Sequence, residues 1–127
     1  MDIETGEIVL SFAITNTGAR SGVAVPQLYV RDRQASVVRP VKELKAFGRV
    51  ALAAGERARM RFSVPVDMLC LTDRSGQRVV EPGWFDLMLG SSSAQTPLRS
   101  AVQVMGTATR TLPDQWRMES RCEDRTA

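Results

Sequence analysis

The chain has 127 residues, two cysteines, no histidine, and 17 Lys+Arg against 14 Asp+Glu for a net charge of +3. That length supports one domain and leaves no room for a separate catalytic domain beside it. The missing histidine removes the Ser-His-Asp and Cys-His nucleophile systems and most transition-metal sites, so carboxylate chemistry, lysine chemistry or no chemistry remains. No cofactor and no metal are expected. The charge excess is too small to mark a nucleic-acid binder. No apolar run reaches 18 residues, and no basic start leads into an apolar segment with a small-residue cleavage site. Neither a membrane span nor an export signal is therefore expected.

The hydrophobic period is two from the start of the chain. Ile8, Leu10, Phe12 and Ile14 alternate with Val9, Ser11, Ala13 and Thr15, a half-buried strand that ends at Asn16-Thr17-Gly18. Leu28 and Val30 share one face of a second strand, with Gln27, Tyr29 and Arg31 on the other. A less regular strand runs through Leu44, Phe47, Val50 and Leu52. Ala58, Met60, Phe62 and Val64 alternate most cleanly, against Arg57, Arg59, Arg61 and Ser63. A single helical turn is suggested around Pro65-Val66-Asp67-Met68-Leu69. Phe85, Leu87 and Leu89 then alternate with Trp84, Asp86 and Met88, and Leu98, Val102 and Val104 fall on one face of the last strand.

Turn chemistry separates these runs at Ala53-Ala54-Gly55-Glu56, Asp73-Arg74-Ser75-Gly76, Glu81-Pro82-Gly83 and Gly90-Ser91-Ser92-Ser93. Pro26 inside a strand run predicts an edge or a bulge there. Six or seven short strands with no helical layer predict an all-β, immunoglobulin-type antiparallel sandwich of about seven strands over residues 1–106. Residues 107–127, rich in Thr, Arg, Asp and Glu, read as a polar, flexible tail held at most by Trp116. Cys70, within Met68-Leu69-Cys70-Leu71, reads as a small buried hydrophobe, with a disulfide to Cys122 as the alternative.

Four ordered segments carry a family resemblance: Thr15-Asn16-Thr17-Gly18; Gln27-Leu28-Tyr29-Val30-Arg31-Asp32; Arg39-Pro40-Val41-Lys42-Glu43-Leu44-Lys45-Ala46-Phe47; and Glu81-Pro82-Gly83 followed by Leu89-Gly90-Ser91-Ser92-Ser93. With Leu52-Ala53-Ala54-Gly55-Glu56, they resemble the fibronectin type III-like domain at the C-terminal end of family 3 glycoside hydrolases, the β-glucosidase and β-xylosidase group. The resemblance runs from about residue 7 to 105. It implies the same sandwich, and it implies that the nucleophilic aspartate and the acid/base carboxylate lie in preceding parts of the enzyme. This chain would then be a non-catalytic accessory domain whose partners are the catalytic domains in cis, with a homo-oligomer contact kept open. The parent's compartment, whether periplasmic, secreted or cytoplasmic, stays open as well. Trp84 departs from the family pattern, where a small or polar residue is usual, and the segment after Gly106 matches nothing in it.

Glycoside hydrolysis of this kind needs two carboxylates roughly 5 to 9.5 Å apart. Asp32, Glu43, Glu81 and Asp86 are the strand-end and loop acids, and turn caps and ion pairs account for them. Arg57, Arg59 and Arg61 recur about 7 Å apart on one strand face, as a solvated face or as a salt-bridging surface towards a neighbouring domain. The candidate interdomain contacts are Tyr29, Arg31, Arg39, Pro40, Lys42 and Glu43, on a segment that Leu44 and Phe47 anchor to the core; an ordinary crossover is the alternative. Trp84 is the candidate sugar or partner contact, since an exposed indole can stack on a sugar ring.

Overall fold

A computed structural model of the chain describes residues 1–33, 42–91, 97–106, 109–112 and 120–126. The first half comprises β1 (Glu7–Thr15), β2 (Gly22–Ala24), β3 (Gln27–Asp32), β4 (Glu43–Phe47), β5 (Val50–Leu52) and β6 (Arg57–Pro65). After a 3-10 turn at Val66–Leu69 follow β7 (Leu71–Thr72), β8 (Arg78–Val80), β9 (Gly83–Gly90), β10 (Leu98–Val104), β11 (Arg110–Thr111) and β12 (Arg121–Thr126). Two sheets carry the sandwich, one ordered β1-β6-β12 and the other β10-β9-β3-β4, all antiparallel. They contain seven strands between them. Two smaller sheets, β2-β5 and β11-β8-β7, account for the other strands of the described residues.

The period of two decides which side of each strand goes inward. On β6, Ala58, Met60, Phe62 and Val64 are all buried while Arg57, Arg59 and Arg61 are exposed. Phe62 and Val64 meet Leu28, Val30, Phe85, Leu87 and Leu89 from the facing sheet. Phe12 packs on Phe62 with ring centroids 5.1 Å apart, and it also touches a second cluster of Val50, Leu52, Ala58 and Met60. Pro26 lies between β2 and β3, where the chain leaves β5 for the larger sheet. Lacking a donor itself, it offers its carbonyl to the Gly48 amide at 3.1 Å.

The Asn16-Thr17-Gly18 turn does more than reverse the chain. The Asn16 side-chain amide donates to the Leu52 and Arg20 carbonyls, and its oxygen accepts from the Gly18 amide. Its backbone exchanges hydrogen bonds with Gly55 and Glu56 in the next turn, where Gly55 holds φ of 76°. Through its side chain and backbone, this one residue ties its own turn to the end of β5 and the turn that follows it.

Three expectations need correcting. Leu44 and Phe47 do not anchor β4, because they are 46% and 64% exposed; a register shift against β3 places Ala46 opposite Leu28 instead, and Ala46 is the buried residue. Met88 shares its side with Trp84 and Asp86 but is buried, at a position flanked by Tyr29 and Arg99 in register. The described parts of 107–127 are paired strands rather than a loose tail: β11 joins β8 and β12 joins β6. Backbone pairing explains this, since an edge strand needs no apolar alternation. Trp116 lies outside the described residues.

Cys122 stands opposite Phe62 on β12, and its sulfur lies where a Cβ at Gly48 would collide with it. Cys70 packs against the main core and is not joined to Cys122. Asp67 in the 3-10 turn is 2% exposed, and Arg110 of β11 donates to its carboxylate. Removing the guanidinium would take a charge-assisted hydrogen bond from a buried carboxylate. We expect Arg110→Leu to lower unfolding free energy by about 3 kcal/mol, and Phe62→Ala by about 3–5 kcal/mol. Urea titration should find Phe47→Ser within about 0.5 kcal/mol of the parent; equal losses at Phe62 and Phe47 would contradict the assigned faces.

Candidate functional site

The outward side of the β10-β9-β3-β4 sheet is where the candidate residues collect. Tyr29, Met88 and Arg99 lie side by side across β3, β9 and β10, and Arg31, Asp86 and Ala101 form the next row, followed by Trp84 and Gln103. Asp86 is the electrostatic centre. Arg33 reaches its Oδ1 with Nε at 2.8 Å and Nη2 at 2.6 Å, and Arg31 Nε stands 3.6 Å from Oδ2. The hydrogen bond from Arg33 holds the Asp86 carboxyl below its ordinary value against the opposing effect of burial, with the charges of Arg33, Arg31 and Arg99 acting the same way as the bond.

Arg33 also stacks on Trp84, its guanidinium carbon 5.7 Å from the ring centroid, and its amide donates to the Trp84 carbonyl at 3.1 Å. Trp84 is 41% exposed, so the indole is partly covered by a cation of its own chain. At the other end of the face, the Lys42 ammonium sits 5.5 Å from the Tyr29 ring, and the Tyr29 hydroxyl donates to Gln27. Leu44 stands opposite Tyr29 and Phe47 opposite Gln27, both exposed. The face therefore combines three large exposed side chains, Trp84, Leu44 and Phe47, with a rim of arginine and lysine.

Of the six candidate contacts, the structure groups Tyr29, Arg31 and Lys42 on this face with Trp84. Glu43 stands opposite the buried Val30 at the edge of β4 and pairs with Lys45 at 3.3 Å, away from that group. Arg39 and Pro40 lie outside the described residues. The residue that sequence reasoning missed is Arg33, which holds both Asp86 and Trp84; a lone arginine after a strand end carries no sequence signal of that role. Arg57, Arg59 and Arg61 face outward from β6 opposite Thr15, Ala13 and Ser11.

Three further acids are committed locally. Asp2 accepts from the amides of Glu4 and Thr5, and Asp73 from Ser75 and Gln77, which hold both carboxyls below their ordinary value. Glu56 accepts from the Ala53 amide. Among the described residues, no group of three or more His, Cys, Asp or Glu could hold a metal ion.

The sequence profile of the fibronectin type III-like domain matches residues 24–93. The chain belongs to that family. It is 38% identical over 90 residues to a periplasmic β-glucosidase of Salmonella typhimurium, covering 71% of this chain and 12% of that protein. It is 40% identical over 95 residues to a β-xylosidase of Formosa agariphila, covering 75% and 13%. A β-glucosidase from Listeria innocua, solved in complex with glucose, superposes with a TM-score of 0.79 and 32% identity over 85% of this chain and 15% of that one. The chain thus spans 12–13% of the length of these curated relatives, a β-glucosidase and a β-xylosidase.

Because the folded Asp86 carboxyl titrates below the unfolded one, its contribution to stability is complete above the unfolded pKa and is lost as pH falls through the folded value. Arg33→Ala should move the Asp86 midpoint upward, towards the ordinary 3.8, in a carboxyl NMR titration. An unmoved midpoint would show that Arg33 is not the cause.

Proposed function

We propose that this domain is a non-catalytic accessory module of a β-glucosidase-like glycoside hydrolase, and that it packs on and stabilises the catalytic domains of that enzyme. The observation that carries the reading is the coverage: relatives match most of this chain to a small fraction of a much longer glycosidase. The fate of the carboxylates supports it. Hydrolysis of a glycosidic bond requires two of them across one sugar site, whereas Asp86, Asp67, Asp2 and Asp73 are each held by arginines or by their own turns.

The face around Tyr29, Arg31, Lys42, Leu44, Phe47 and Trp84 suits docking. Exposed apolar side chains inside a basic rim are the composition of an interface core with a polar edge. Arginine and aromatic residues, both present here, are the types that most often dominate binding energy. A carbohydrate-binding role for Trp84 is the second reading, favoured by the indole's 41% exposure. It is opposed by Arg33, which already occupies part of the ring.

The purified 127-residue chain should show no turnover of aryl β-glucosides or β-xylosides above a mock preparation. Activity that co-purifies with it and vanishes on its removal would overturn the non-catalytic reading. Soluble glucans and xylans should leave tryptophan fluorescence unchanged; saturable quenching abolished by Trp84→Ala would establish the sugar-binding alternative instead.

A further inference from the structure

The inward faces of β1 and β10 are covered at one end and open at the other. On β1, Ile8 is 4% exposed, while Leu10, Phe12 and Ile14 are only half-buried. On β10, Val104 is 1% exposed, Val102 is half-buried, and Leu98 is 55% exposed although it stands opposite the buried Leu89. The open end is a groove of about 970 Å³ whose lining includes Phe12, Ile14, Val23, Val25, Leu89 and Leu98. Val23 and Val25 are themselves 52% and 40% exposed. Among the described residues, β1 and β10 are both terminal strands of their sheets. The groove is thus flanked by two strand edges, and among the described residues that of β10 is paired by residues 1–3 at its Gln103–Met105 end.

The covered end shows what covers it. Residues 1–3 run parallel to the end of β10: Asp2 bridges Met105, the Ile3 amide donates to the Met105 carbonyl, the Met105 amide donates to the Met1 carbonyl, and the Met1 nitrogen reaches the Gln103 carbonyl at 2.8 Å. Ile3 is buried with the main core. The Asp2 carboxylate then caps the turn that sends the chain back along β1. A strand continued backwards from Met1 would run parallel to β10 and antiparallel to β1, directly over the open groove.

We propose that this groove is a strand-acceptor site, filled by an extended polypeptide segment joined ahead of Met1, with alternate apolar side chains pointing at Phe12, Ile14 and Leu98. The proposal rests on the reading that the domain is one part of a longer enzyme. At about 3.3 Å per residue, seven to nine residues span the distance from the Gln103 level past Leu98. Such a strand supplies backbone partners to an edge and apolar partners to the groove at once, which is how strand addition joins affinity to specificity.

The test fuses a nine-residue segment of alternating Thr and Val ahead of Met1 of the 127-residue chain. Tm should rise by about 4 °C or more, and amide exchange at residues 98–102 should slow about tenfold or more. Leu98→Asp should cancel both effects in the fused chain, while leaving the unfused chain within about 1 °C of its parent, since that side chain is exposed there. If the fusion is insoluble, the same peptide added in trans gives the exchange readout. No rise and no slowing would overturn the proposal. So would a dimeric unfused chain in sedimentation whose residues 9–14 are already protected, because a second copy would then fill the groove. Neither result depends on catalytic domains, so failure of the accessory reading would appear separately, as absence of docking in the full-length glycosidase.

Discussion

The inward side of β6 is the constraint on which the rest depends. Ala58, Met60, Phe62 and Val64 sit every second residue in a strand paired on both sides, so a slip of one residue would exchange them for Arg57, Arg59, Arg61 and Ser63. Four buried apolar positions against three arginines make that slip prohibitive. The register of β1 follows from the hydrogen-bonded ladder with β6, and the facing sheet follows from what Phe62 and Val64 touch.

Where one strand face is core and the other water, the sequence states the fold directly, and β1, β3, β6 and β9 were all legible for that reason. Legibility fails where another force chooses the face. On β4, a bulge turned Leu44 and Phe47 outward and put the smaller Ala46 inside. On β9, Met88 is covered from outside the sandwich, so a polar-side position became a buried one. On β12, the backbone ladder with β6 holds a strand whose composition is that of a solvated tail. Leu98 was read correctly as inward-facing, yet faces a space that nothing described fills.

The candidate surface was only partly legible, for a similar reason. Tyr29, Arg31 and Trp84 stand on alternating positions of regular strands, so their shared side follows from period two alone. Arg33 lies beyond the end of β3, and only the three-dimensional meeting of β3 and β9 brings it to Asp86 and Trp84. That cluster neutralises one carboxylate with two guanidiniums and leaves the basic rim in excess. What this sheet face presents is exposed apolar area at Trp84, Leu44 and Phe47 beside positive charge.

The proposed packing of this domain on catalytic domains is tested most directly by scanning calorimetry of a glycosidase that carries it. The account predicts that the domain and the catalytic domains unfold in one cooperative transition, which separates into two when Leu44 and Phe47 are both changed to Asp. A domain that already melts independently in the unaltered enzyme, with a catalytic transition indifferent to those substitutions, would contradict it.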